Sequence, residues 1–176
     1  KAFDADNLSR TDTAFDASKE INGIKYGVGL KTFTANVNKN GVSKIKQEKI
    51  AEFNKESINF SGLSIKEMTF KIAELRNARI KSAMLEYGID KSLYHCAIRY
   101  HENDIEKSGK ILLKEFSYEP INLEKIICTD ENYKPISDIK SAEYPIGNLF
   151  FIDGENQYSF NISKSTLLKR FDTSLE

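Results

Sequence analysis

An acid and a lysine on neighbouring apolar segments are the residues of this chain best placed to do chemistry. Asp16 lies in Thr11-Asp-Thr-Ala-Phe-Asp-Ala17, and Lys31 lies in Ile24-Lys-Tyr-Gly-Val-Gly-Leu-Lys-Thr-Phe33, 15 positions further on. Asn22-Gly23 stands between them and signals a tight hairpin turn, because both residues tolerate the positive φ that such turns need. Two antiparallel strands joined there would bring the acid and the lysine side by side. A carboxylate holds a hard divalent cation such as Mg²⁺. A lysine beside it can orient or deprotonate a water and neutralise phosphate charge. Together they are the minimal equipment for metal-dependent phosphodiester hydrolysis.

The surrounding pattern suggests the elements that position them. Residues 24–34 alternate, with Ile24, Tyr26, Val28 and Leu30 on one face and Lys25, Gly27, Gly29 and Lys31 on the other. The spacing predicts a first strand over 12–17 and a turn within 18–23. Ser43 reads as the N-cap of a helix over 44–56, with Ile50 and Phe53 on its apolar side. Ser64 and Glu67 form a capping-box pattern that opens a long helix over about 65–87, closed by Gly88. Its apolar stripe drifts from Ile65, Met68, Ile72 and Leu75 to Phe70, Ala73, Ile80, Met84 and Tyr87, so it should pack against more than one element. Strands are expected at 93–101, 110–119 and 123–129, and a hairpin at 148–162 around Asp153-Gly-Glu-Asn156. A short basic helix is expected over 163–171. The order of helices and strands predicts an α/β or α+β fold with a mixed sheet.

Phe15-Asp16-Ala17 on the first strand and Gly29-Leu30-Lys31 on the second resemble the PD-(D/E)XK nuclease superfamily, as does the following segment with Gln47 and Lys49-Ile-Ala-Glu-Phe-Asn54. The resemblance covers about residues 10–100; the segment 158–171 also looks like part of restriction-type proteins. It implies a restriction-endonuclease-like mixed central sheet flanked by helices, in one nuclease-like domain over 1–176. The core would span about 10–100 and a strand-rich part about 101–176. It also implies a Mg²⁺-dependent, type II-like restriction endonuclease acting on double-stranded DNA in the cytoplasm in a defence role, as a homodimer where both strands of a symmetric site are cut. The chain departs from the family at Gly29, where an acid usually stands two residues before the lysine. Either the site is dead or the second carboxylate comes from elsewhere. Glu52 is the best replacement and Glu48 its backup, since a glycine at 29 leaves space for an incoming side chain. Asp16, Lys31 and Glu52 are then the catalytic candidates, with Asp16 and Glu52 holding Mg²⁺. Gln47, Lys49, Arg76, Arg79, Lys169 and Arg170 are the candidates for DNA contact.

Each residue has an ordinary alternative. Asp16 could be a turn carboxylate, Lys31 an exposed strand lysine, Glu52 a solvated acid, and the helix cations solubilising charge. Asp12, sharing strand parity with Asp16, reads first as a surface residue. His95, Arg99 and His101 share one strand face but lack an obvious third metal ligand. Lys39, Lys44, Lys46, Lys49 and Lys55 make residues 39–55 locally basic.

Bulk properties narrow the classes. Lysine plus arginine equals aspartate plus glutamate at 26 each, which disfavours a basic coating protein while leaving local patches free to bind phosphate. That balance slightly favours a third reading, an interaction or inhibitor protein without a nucleic-acid role; the second is a non-catalytic DNA-binding module. Hydrophobic content of 40% against 30% charged fits a folded chain rather than a disordered one. No apolar run approaches the ~18 residues of a membrane helix. The chain starts at Lys1 rather than Met, which reads as a trimmed N-terminus. Cys96 and Cys128 stand in strand-like contexts and are expected to be reduced and buried, as in an intracellular protein. Without a CxxC pair a structural zinc site is not expected. Glycine-rich phosphate loops, GxSxG and HExxH are absent from the sequence.

Overall fold

The computed structural model describes residues 5–8, 14–35, 37–38, 41–42, 45–53, 59–100, 111–136 and 147–173. Asp12, Lys39, Ser43, Lys44, Lys55 and His101 lie outside them. In chain order the elements are β1 (Asp6–Asn7), β2 (Ala17–Ile21), β3 (Ile24–Ala35), β4 (Val37–Asn38), β5 (Gly41–Val42) and β6 (Ile45–Glu52), then α1 (Ile65–Tyr87). They continue with β7 (Lys91–Tyr100), β8 (Ile111–Ser117), a 3₁₀ turn at Leu123–Lys125, β9 (Ile126–Thr129), β10 (Asn148–Asp153), β11 (Asn156–Asn161) and β12 (Thr166–Asp172). The fold is mixed α+β and mostly sheet. It divides into two compact units: Lys1–Lys46 with Ala78–Pro120 and Asp172–Glu176, and Gln47–Asn77 with Ile121–Phe171.

The first unit holds a five-stranded sheet in the order β1-β2-β3-β7-β8. β2 and β3 form the expected hairpin, with Asn22 and Gly23 at φ 53° and 75°, the left-handed conformation of a two-residue turn. The strand before the turn is Ala17–Ile21, which begins after residues 14–16, because that turn sets the pairing of Ala17 with Val28 and Ile21 with Ile24. β7 runs parallel to β3, and β8 antiparallel to β7. Asp90 locks the entry to β7: its Oδ2 accepts from Lys25 N at 2.8 Å, and its own amide donates to Lys25 O at 2.8 Å.

The alternation of β3 is as expected, and the enclosed face is the one that carries the glycines. Gly27, Gly29 and Phe33 are enclosed, whereas Leu30 is 53% exposed. The reason lies in the neighbouring strand. Register places Gly29 beside Tyr94, Lys31 beside Cys96 and Phe33 beside Ile98, and Tyr94, Cys96 and Ile98 are all buried. Sheet parity then turns the glycine face of β3 inward.

The second unit holds the sheet β6-β12-β11-β10-β9. Ile65, Met68, Ile72 and Ala73 of α1 join Phe151, Tyr158, Phe160 and Leu167 in its core. The α1 boundaries match the sequence signals. Ser64 N and Oγ both donate to Glu67 Oε2 at 2.7 Å, and Gly88 leaves the helix at φ 60°. Gly154, at φ 58°, turns β10 into β11 as expected. Two expected helices are strands instead. Residues 45–52 form β6 and residues 166–172 form β12, and the two pair in one sheet. In β12 the buried Leu167, Lys169 and Phe171 alternate with half-buried Leu168 and Arg170, a period of two that sheet pairing favours over local helix propensity.

Candidate functional site around Asp16 and Lys31

Asp16 stands one residue before β2. Its amide donates to Val28 O at 2.9 Å, and its carboxylate Oδ2 accepts the amide of Leu30 at 2.7 Å. The side chain thus substitutes for a ladder carbonyl where the pairing of β2 ends, and it is fixed on the residue that precedes Lys31. Lys31 is half-buried on the inward face of β3, in register with Cys96 of β7, which in turn faces Lys114 of β8. Lys114 reaches Asp172 at 3.9 Å. Both cysteines are free thiols, Cys96 buried and Cys128 half-buried.

Gly29 stands where an acid was expected, two residues before Lys31. A Cβ built there would lie 3.0 Å from Tyr94 Cδ1 and 3.3 Å from Tyr118 Cε2. At Gly27 it would lie 2.9 Å from the Phe15 ring. The nearest atoms over the two glycines are therefore those of the Tyr94, Tyr118 and Phe15 rings and of the Ile89 side chain. Tyr94, Tyr118 and Phe15 pack over Gly27 and Gly29 on the strand that carries Lys31, and the sequence reading assigned this role to none of the three. The signal for them was the i, i+2 glycine pair in a strand, which marks close approach by another group.

Glu52 belongs to the second unit and sits on a strand. It is exposed, and Lys49 Nζ reaches its Oε2 at 2.7 Å. That hydrogen bond, reinforced by the lysine charge, holds the Glu52 carboxyl below the usual carboxylate range. Glu48 is half-buried on the same strand. Among the described residues no group of three or more His, Cys, Asp or Glu side chains is placed to hold a metal ion.

The DNA-contact candidates fall into different environments. Gln47 Nε2 donates to Ser159 Oγ. Arg76 is 3% exposed and Lys169 6%, so both are enclosed in the second unit. The Lys169 ammonium lies 5.9 Å from the centroid of the Tyr158 ring and 5.7 Å from that of Phe171. Arg170 stacks over Tyr133 at 4.8 Å. Arg79 is half-buried and Lys49 exposed. His95 pairs with Glu115 at 3.4 Å.

Comparison with known proteins finds no matching family model, no similar curated protein and no similar solved structure. No described helix is long and apolar enough to cross a membrane.

Proposed function

We propose that this chain is a Mg²⁺-dependent nuclease of restriction type that hydrolyses phosphodiester bonds of double-stranded DNA, with Asp16 and Lys31 at its centre. One observation carries the reading: the Asp16 carboxylate is anchored on the amide next to Lys31. The acid and the lysine are thereby held on adjoining backbone of one rigid sheet, the kind of pre-organisation that catalysis needs. The mixed sheet adds support. The lysine strand has an antiparallel neighbour on the acid's side and a parallel neighbour on the other, as the superfamily resemblance would have it.

The donor chemistry suits Mg²⁺, which takes one or two carboxylates and completes its shell with water and phosphate oxygens. A carboxylate offers about four acceptor sites, and the Leu30 amide occupies one. Asp16 would hold the ion. When bound, the ion supplies Lewis-acid relief of charge on the scissile phosphate. Lys31 orients the attacking water and neutralises charge building on the phosphate oxygens. A homodimer would place two such centres on the two strands.

Supercoiled plasmid incubated with Mg²⁺, with and without chelator, tests this. Wild type should nick or linearise it only with the metal, and Lys31→Ala should not; cleavage persisting in that variant rejects the role given to Lys31. The second reading is a DNA-binding module without catalysis, favoured by the aromatic filling at Gly29. Absence of cleavage by wild type together with a salt-sensitive DNA shift would select it.

A further inference from the structure

We propose that Tyr118 is a positioning residue for Asp16, a role that rests on the nuclease reading above. Tyr118 follows β8 directly and is 5% exposed. Its carbonyl accepts from Ser92 Oγ at 3.1 Å, which fixes where the side chain leaves the backbone. From there the ring lies edge-to-face on Tyr94 of β7. It passes Gly29 of β3, where its Cε2 stands 3.3 Å from the position of a would-be Cβ. It meets the Phe15 ring at a centroid distance of 5.3 Å, and its hydroxyl donates to Ala14 O at 2.5 Å.

One side chain therefore crosses from the end of β8 over two strands to the segment that leads into the proposed site. It holds the two residues before Asp16, Ala14 by a hydrogen bond and Phe15 by ring contact. Phe15 is itself 2% exposed and packed against Gly27. The backbone of Asp16 is thus set from behind by Tyr118, and its carboxylate is set from in front by the Leu30 amide. Gly29 makes the crossing possible, because any Cβ there would stand in the path of both tyrosine rings. The position where the superfamily resemblance would put a second acid serves here as the passage for this phenol. The consequence for the reaction is geometric: loosening the segment should weaken the hold of Asp16 on the metal while leaving DNA affinity alone.

Tyr118→Phe keeps the ring and deletes the hydroxyl that bonds Ala14, so it separates positioning from packing. Two measurements decide the matter. The first is the Mg²⁺ concentration giving half-maximal plasmid cleavage. It should rise roughly five-fold, the factor one neutral hydrogen bond is worth, with the KM for DNA unchanged. A merely structural loss would lower the active fraction without moving that midpoint. The second is hydrogen exchange of the Leu30 amide in the free protein, compared with the Ile98 amide in β7. Leu30 should exchange roughly five-fold faster in the variant by the same factor, with Ile98 unchanged. Unaltered Leu30 exchange and an unaltered metal midpoint overturn the proposal. Equal acceleration of both amides also overturns it, since that reports global destabilisation. If wild type does not cleave at all, the nuclease reading fails, and the exchange measurement still decides whether Tyr118 orders Asp16.

Discussion

The Asp16 carboxylate and the Leu30 amide meet at 2.7 Å, so one acid serves both the sheet and the proposed chemistry. These two roles respond differently to substitution. Asparagine keeps an acceptor oxygen for the Leu30 amide but gives up the charge that a divalent ion needs. Asp16→Asn should therefore unfold in urea within about 0.5 kcal/mol of wild type, while metal-dependent cleavage falls at least roughly 100-fold. Asp16→Ala removes the acceptor as well and should cost about 1 kcal/mol of stability. Full activity in the asparagine variant would reduce Asp16 to a strand-end acceptor.

Gly29 gives a second test, on stability alone. Its φ lies outside the positive region, so a side chain there is limited by space and not by backbone strain. An added methyl meets Tyr94 and Tyr118 at 3.0 and 3.3 Å, and both rings are hemmed in by their own neighbours. Gly29→Ala should lose about 1–3 kcal/mol, the usual cost of overpacking. Gly29→Glu places an acid two residues before Lys31, and it should lose more, because the chain is longer and its charge would be buried. Urea midpoints and near-ultraviolet circular dichroism read both variants. A neutral Gly29→Ala would mean that the rings move aside freely.

Much of this architecture was readable from local chemistry, and the misreadings share one cause. Asn22-Gly23, Ser64 with Glu67, Gly88 and Asp153-Gly154 each specify a backbone conformation by their own side chains or lack of them, and each stands where expected. Residues 45–52 and 166–172 carry no such local instruction. Their mixture of lysine, glutamate and leucine suits a helix in isolation, and pairing within the sheet, β6 with β12 and β12 with β11, makes them strands. The inward face of β3 is likewise decided by a distant strand, through Tyr94, Cys96 and Ile98. For the candidate site, the closeness of Asp16 to the Lys31 strand follows from the turn, whereas Tyr118 arrives from a residue 104 positions after Ala14, beyond the reach of any local pattern.

Lys49 and Glu52 make an exposed pair whose effect is on titration more than on stability. The hydrogen bond from Lys49 comes first and its charge second in holding the Glu52 carboxyl low. The folded chain therefore keeps Glu52 ionised to a lower pH than the unfolded chain does. In Lys49→Ala the carboxyl midpoint followed by NMR should rise toward the ordinary glutamate value. A midpoint that stays put would show that the pair does not persist in solution.

Tyr158 should govern part of the alkaline behaviour of the second unit. It is 4% exposed, stacks on Phe151 at 5.1 Å and lies under the Lys169 ammonium. Burial, above all, pushes its phenol up from the ordinary value of 10.0; the Asp153 carboxylate adds to this and Arg76 opposes it. The folded state therefore holds this proton more tightly than the unfolded chain. The resulting stabilisation is complete below about pH 10. It is lost as pH rises from there toward the folded value, because ionisation then favours the unfolded chain. Tyr158→Phe has no proton to lose, so its urea midpoint should fall less steeply above about pH 10 than that of wild type. Phenolate absorbance should show the missing tyrosine as one that ionises only when the wild-type unit unfolds. Identical alkaline slopes in the two proteins would place the Tyr158 hydroxyl in contact with solvent and overturn its assignment as a buried acid.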